Sequence, residues 1–238
     1  MAALRPRLPT GTRAYVIGDI HGRADLLSPL LERIDADLQE RPVPYPVEIF
    51  LGDYIDRGPN SREVIDRLIA RSCVRETIFL RGNHETYITA FLDQPAILSE
   101  WRQIGGLETL MSYGMQPSLR MEPDEQIRLA AAFKRVLPES HRLFLNSLST
   151  SLSGGDYFFV HAGIRPGVPL AEQRDEDLLW IREDFLLCEE SFGRVIVHGH
   201  SPVPEPEMRP NRINIDTGAY ATGRLTCLVL EEEDRHFL

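Results

Sequence analysis

Between Arg13 and Glu85 the chain passes three times through one pattern: a short apolar, β-branched run, a polar loop containing glycine, then an amphipathic stretch. ArgAlaTyrValIleGly (13–18) leads into AspIleHisGly and an amphipathic stretch from Arg23 to Leu38. ProValGluIlePheLeu (46–51) leads into GlyAspTyrIleAspArgGly and a helical pattern from Ser61 to Ala70. ThrIlePheLeu (77–80) leads into ArgGlyAsnHisGlu and a third helical start. Strand, loop and helix in repeated alternation specify βαβ units and a parallel sheet. The polar motifs begin at Asp19, Asp53 and Asn83, 34 and 30 residues apart, about one βαβ unit each.

From about Glu85 to Leu148 the pattern turns helical, most clearly over 124–136, where Pro123 and Pro138 punctuate the ends. Strands then return. A hairpin is expected across SerGlyGlyAsp (153–156), leading into TyrPhePheVal (157–160), with further strands at 194–198, 212–215 and 224–230. The chain therefore predicts an α/β sheet core interrupted by a helical insertion at about 86–148. A length of 238 residues suits one domain carrying such an insertion. That domain is expected at 13–230, with 1–12 and the acidic 231–238 as solvated terminal tails.

Composition removes several function classes. With 36 acidic against 26 basic residues the net charge is −10, a poor match for a nonspecific nucleic-acid or membrane-surface binder. No apolar run approaches the ~20 residues of a membrane span, and MetAlaAlaLeuArgProArgLeuProThr has no apolar stretch of signal-peptide length. Cys73, Cys188 and Cys227 share no close spacing, so neither a disulfide framework nor a thiolate zinc site is expected, and the default compartment is the cytoplasm. Lys134 is the single lysine, which leaves Schiff-base and P-loop chemistry almost nothing to work with. The P-loop, GxGxxG, GxSxG and CxxC patterns are all missing from the sequence.

In open α/β sheets function collects at the carboxyl ends of the strands. There lie Asp19 and His21; Asp53, Asp56 and Arg57; Asn83 and His84; His161; then His198 and His200. Asp, His and Asn without Cys form a mixed oxygen and imidazole set that suits Mn²⁺, Fe or Zn²⁺ better than Ca²⁺. The donors exceed what one ion needs. Two divalent ions ~3.5–4 Å apart sharing a carboxylate would suit in-line displacement at phosphorus.

The blocks GlyAspIleHisGly (18–22), GlyAspTyrIleAspArgGly (52–58), ArgGlyAsnHisGlu (81–85), HisAlaGly (161–163) and GlyHisSerPro (199–202) resemble, in order, the signatures of the phosphoprotein phosphatase family of calcineurin-like metallophosphoesterases. The resemblance implies an αββα sandwich of mixed sheets and two metal ions, with manganese first and Fe or Zn as alternatives. It implies that Asp19, His21 and Asp53 hold one ion, and that Asp53, Asn83, His161 and His200 hold the other. His84 would be the general acid, oriented by Asp56; Arg57 and Arg182 would bind phosphate oxygens, with Asn83 beside them. Hydroxide held by the metals would attack phosphorus directly.

Alternatives stay open at several positions. Asp56 could serve only its turn, His161 could be a satisfied strand-end histidine, and Arg182 could belong to a surface salt bridge. Strand alternation would place His198 and His200 on one face, while the GlyHisSerPro turn favours His200 as the ligand and His198 as its support. Arg165 and Tyr54 are candidate cleft residues or scaffold. The LeuArgGlyAsnHisGlu run (80–85) favours a protein serine/threonine phosphatase acting on phosphomonoesters. AsnIleAspThrGlyAla (214–219) points instead to the alternative, a symmetrical diadenosine tetraphosphate hydrolase. A phosphoprotein or nucleotide is thus the expected partner, with no stable nucleic-acid or membrane partner. The helical insertion is expected to shape the cleft.

Overall fold

A computed structural model of the chain describes residues 5–118 and 122–238. The start of the expected N-terminal tail (1–4) and a short part of the expected insertion (119–121) lie outside the described residues. The strands are β1 (Thr12–Ile17), β2 (Tyr45–Phe50), β3 (Thr77–Phe79), β4 (Ser151–Gly154), β5 (Tyr157–Val160), β6 (Val195–His198), β7 (Glu207–Met208), β8 (Arg212–Asn214), β9 (Cys227–Glu231) and β10 (Asp234–Phe237). They form two five-stranded mixed sheets, ordered β10-β9-β1-β2-β3 and β4-β5-β6-β8-β7. In the first, β1, β2 and β3 run parallel, joined by α1 (Ala24–Glu40) and α2 (Ser61–Ser72), as the repeated pattern requires. In the second, β5, β6 and β8 run parallel between antiparallel edges.

Period-two alternation explains the layering. Ala14 and Val16 of β1, Leu228 and Leu230 of β9, Tyr157 and Phe159 of β5, and Val195 and Val197 of β6 all enter one apolar cluster between the sheets. Their neighbours Tyr15, Ile17, Cys227 and Val229 face the helices on the outside of the first sheet. Phe158, Val160 and Ile196 face outward from the second sheet toward Leu178, Ile181 and Phe185. The result is the expected αββα sandwich.

The helical stretch comprises α3 (Asn83–Phe91), α4 (Leu98–Trp101), α5 (Gly106–Ser112), α6 (Pro123–Val136) and α7 (Glu139–Ser147). Pro123 occupies the first turn of α6, where its missing N–H costs nothing, and Lys134 and Arg135 meet the negative end of the helix dipole. These helices share the core on the helix side of the first sheet: Phe144 packs on Tyr54 and Phe79, and Phe133 on Phe91 and Tyr113. The short helices α8 (Asp175–Trp180), α9 (Glu183–Leu186) and α10 (Ala219–Thr222) complete the chain.

The termini differ from the expected tails. Glu232 and Glu233 form a turn, Glu232 at φ +48°, after which β10 pairs antiparallel with β9. At the other end Leu8 is buried between the sheets and its N–H bonds the Glu232 carbonyl at 2.9 Å. The acidic composition masked a hairpin, because turn residues and solvated-tail residues are the same types.

One buried ionic network ties both crossover helices to the sheet. Arg71 of α2 donates Nε to Glu48 of β2 at 2.9 Å and Nη1 to Asp35 of α1 at 2.8 Å. Glu48 is 2 % exposed and Arg71 is 8 % exposed. Removing one partner of a buried pair leaves the other charge uncompensated. Arg71→Ala, which strands the Glu48 carboxylate, should therefore lower unfolding free energy by about 3 kcal/mol, measured by urea denaturation; a loss below about 1 kcal/mol, the range of exposed pairs, would contradict that assignment.

Candidate active site

Every polar motif is delivered to the carboxyl end of its strand. Asp19 and His21 follow β1, Asp53, Asp56 and Arg57 follow β2, and Asn83 and His84 open α3 just beyond β3. His161 follows β5 and His200 follows β6. The backbone itself marks the place. Six described non-glycine residues have positive φ, and five lie here: His21 (+46°), Asp53 (+51°), Asp56 (+72°), Arg57 (+65°) and His200 (+64°). Such conformations are disfavoured for side chains with a Cβ and persist where surrounding contacts enforce them. Glu85, fully inside, enforces one: its carboxylate accepts the backbone N–H groups of Asp53, Tyr54 and Gly82 at 2.8–2.9 Å. Close packing also fixes two glycines. A Cβ on Gly82 or Gly199 would fall 2.1 Å from Asp53 Oδ1 or Asp19 Oδ1 respectively.

The side chains converge as an array rich in acceptors. His21 donates Nδ1–H to the Ile55 carbonyl at 2.9 Å, and His161 donates Nδ1–H to Leu51 at 2.9 Å. Each ring thus turns an unprotonated Nε2 inward, the arrangement that backbone carbonyls impose on metal-binding histidines. His21 Nε2 lies 3.5 Å from Asp53 Oδ2, and His161 Nε2 lies 3.4 Å from Asp53 Oδ1. Asn83 Oδ1 stands 2.9 Å from His161 Nε2 and 2.8 Å from His200 Nδ1. Two donor groups emerge, His21–Asp53–His84 and Asp53–His161–His200, with Asp53 common to both. Asp19 Oδ1 and His200 Nε2 are buried with no hydrogen-bond partner among the described residues.

Electrostatics points the same way. Burial pushes the Asp19 carboxyl well up, reinforced by Asp216 and Asp53, and raises Asp53 similarly, with Glu85 adding to it. Burial lowers His161 to about 3, and lowers His21 well below its ordinary value. Crowded carboxylates beside neutral imidazoles lack a positive charge at the centre. Dications supply one, so the residues fit a two-metal centre.

His84 sits beside this array. Its Nδ1 meets Asp56 Oδ2 at 2.7 Å and its Nε2 lies 3.7 Å from Asp53 Oδ2. Burial, then the charges of Arg57 and Arg182, lowers its pKa to about 3. Asp56 is pushed up to about 7 by burial, against hydrogen bonds from Thr109 and Trp101. Arg57, Asn83, His84, Arg182 and His200 line a cavity of about 240 Å³ together with Ile104, Trp180 and Asp216. The Arg57 guanidinium lies 4.4 Å from the centre of the Tyr220 ring. Arg182 bonds the Ser201 hydroxyl at 3.4 Å and has no carboxylate partner among the described residues.

Three candidates lie elsewhere. His198 continues the outward-facing alternation of β6 and packs its ring 4.9 Å from Phe185; only after Gly199 does the chain turn His200 inward. Tyr54 is wholly buried and donates its hydroxyl to the Leu80 carbonyl at 2.6 Å. Arg165 is spent on ion pairs with Asp177 and Asp184. Conversely, Asp216, Trp101, Thr109 and Tyr220 were missed. Asp216 sits in the AsnIleAspThrGlyAla run at the end of β8, so strand-end position could have found it. For Trp101 and Thr109 the sequence offers no signal.

A sandwich of two mixed sheets with this donor set at the ends of its parallel strands defines a metal-dependent phosphoesterase. Residues 12–230 match the model of the calcineurin-like phosphoesterases, and the chain belongs to that family. Among similar proteins is the asymmetrical bis(5′-nucleosyl)-tetraphosphatase PrpE of Halalkalibacterium halodurans, 25% identical over 91% of this chain and 89% of its own. The protein of that name from Anoxybacillus flavithermus is 28% identical, over 90% and 88%. A crystal structure described provisionally as a diadenosine tetraphosphatase superposes with a TM-score of 0.66 at 18% identity, covering 97% of this chain and 95% of that one. It shows the same fold.

Gly199→Ala should displace Asp19 while leaving the backbone conformation permitted. Metal content by mass spectrometry should fall from about two ions per chain toward one, with an unchanged circular dichroism spectrum. Retention of both ions would exclude Asp19 as a donor.

Proposed function

We propose that the chain hydrolyses dinucleoside polyphosphates, with bis(5′-nucleosyl) tetraphosphates as the substrate class. One observation carries this reading: charged and aromatic groups stand together at the cavity. Arg57 and Arg182 provide forks for successive phosphate groups. Trp180, 40% exposed, lines the cavity and offers a ring on which a nucleobase can stack, while Tyr220, 37% exposed, carries the Arg57 guanidinium over its ring. A polyphosphate capped by bases needs both features; a phosphoserine needs only the first. The names carried by the relatives support this choice, and the expectation of a serine/threonine phosphatase gives way to its alternative. They also favour asymmetrical cleavage over the symmetrical cleavage expected from sequence.

In this reading Asp19, His21 and Asp53 hold one divalent ion, and Asp53, Asn83, His161 and His200 hold the second. Such a pair supplies Lewis acidity toward the phosphoryl group and a nucleophile from water near neutral pH. The chain's own residues do the rest. Arg57, Arg182 and Asn83 bind and orient the phosphate oxygens. His84, its ring fixed by Asp56, gives a proton from Nε2 to the leaving oxygen. An anion seated between Arg57 and Arg182 offsets the charges that disfavour the imidazolium, so substrate binding itself favours the protonated acid.

Protein stripped with EDTA should be inactive toward diadenosine tetraphosphate and recover with Mn²⁺. Chromatography should then show mononucleotide plus triphosphate rather than two diphosphates. A kcat/KM at least a hundredfold higher for a phosphothreonine peptide would overturn the substrate assignment, and failure of every divalent ion to restore activity would overturn the chemistry. His84→Asn should keep its metals while kcat falls by roughly 10²–10⁴-fold for phosphoesters with poor leaving groups, phenyl phosphate among them.

A further inference from the structure

Asp56 is fully buried, and the helical insertion grips both of its carboxylate oxygens. Trp101 donates its indole N–H to Oδ2 at 2.8 Å, the same oxygen that meets His84 Nδ1. Thr109 donates its hydroxyl to Oδ1 at 2.5 Å and accepts the Asp56 backbone N–H at 2.9 Å. Between them, the Gly105 carbonyl accepts the Arg57 N–H at 3.3 Å. Gly105 lies at φ +105° and so close that a Cβ there would fall 2.4 Å from Arg57 N. Segment 101–109 thus holds Asp56, then Arg57, then Asp56 again. These are two of the positive-φ residues that need an external hold. Ile104 of the same segment lines the cavity.

Packing alone does not account for this. The Trp101 ring lies 5.4 Å from Phe91 in the apolar core, a place a phenylalanine could fill, yet its polar edge is turned onto the carboxylate. A buried carboxylate has several acceptor sites, and each hydrogen bond removes a direction in which it can swing. With two oxygens held from the insertion, Asp56 presents His84 one fixed acceptor, and the imidazole one fixed Nε2 direction.

We propose that Trp101 and Thr109 are positioning residues for the catalytic acid, acting through Asp56 on His84, and that segment 101–109 makes the helical insertion part of the reaction centre. This rests on the reading of His84 as the proton donor.

The test uses Mn²⁺-loaded full-length protein and two phosphomonoesters, 4-nitrophenyl phosphate, whose leaving group needs no acid, and phenyl phosphate, whose leaving group does. Thr109→Val, matched in shape but without the hydroxyl, and Trp101→Phe should each lower kcat for phenyl phosphate by about 10- to 100-fold while sparing 4-nitrophenyl phosphate. Thr109→Ser should restore wild-type behaviour. In an Asp56→Asn background, Thr109→Val should cost nothing further, because residues acting through one group are not additive. In metal-free protein, the ¹⁵N signals of the His84 ring, assigned by their loss in His84→Asn, should shift in both variants. Equal losses on the two substrates, or full additivity with Asp56→Asn, would reduce the segment to packing and overturn the proposal. The controls separate the levels: if His84→Asn shows leaving-group dependence and the insertion variants do not, only this inference falls. If His84→Asn shows none, the acid assignment falls and takes the inference with it.

Discussion

The carboxylate of Asp53 is the point on which the site's geometry turns. Its backbone N–H is held by Glu85, its Oδ1 accepts the His84 N–H at 3.1 Å, and its two oxygens face rings from different strand ends. Burial raises its pKa well above the usual carboxylate range. A buried carboxylate surrounded by unprotonated imidazole nitrogens is an expensive arrangement in an empty protein and a favourable one around cations. Folding thus builds an electrostatic deficit that metal binding relieves, and in this reading the free energy of that relief becomes part of the stability of the fold.

The deficit joins the two sheets. His161 and His200 come from the second sheet; Asp19, Asp53 and Asn83 come from the first. His161 bonds the Leu51 carbonyl across the gap, and the His200 N–H bonds Asp19 Oδ2 at 3.0 Å. In this reading each sheet supplies an incomplete donor set, so neither half would hold two ions alone. The net charge of −10 fits this arrangement. The acidic surplus sits largely on the surface, whereas the cavity gathers Arg57, Arg182 and a cation-seeking array, so its local sign suits a polyphosphate.

What the sequence disclosed follows from how locally each feature is encoded. The βαβ units and the order of strand-end motifs are written in contiguous residues, so the sequence alone singles out Asp19, His21, Asp53, Asn83, His84, His161 and His200, the side chains that the fold brings together. Even the choice of His200 over His198 follows from a local cue, the Gly199 turn that ends the alternation of β6. Trp101 and Thr109 were not legible, because their meaning lies in a carboxylate 45 and 53 residues away. Helical periodicity explains their burial and is silent about the N–H and hydroxyl they turn toward Asp56. The C-terminal hairpin was hidden for a different reason, since composition does not separate an exposed turn from an exposed tail.

Those long-range bonds change how the insertion relates to the core. An element that merely roofed a cleft would contact substrate and leave the strand-end loops to themselves. Here the helices share one apolar cluster with the first sheet, and their 101–109 segment fixes the Asp56–Arg57 turn that follows β2. In this reading, proton donation and phosphate binding depend on adjacent residues held by the same segment, while the metal donors depend on Glu85 and the sheets. Substrate selection can then vary through the exposed surface of the insertion without disturbing the metal centre, provided its inner face keeps the indole N–H, the glycine and the hydroxyl that the turn requires.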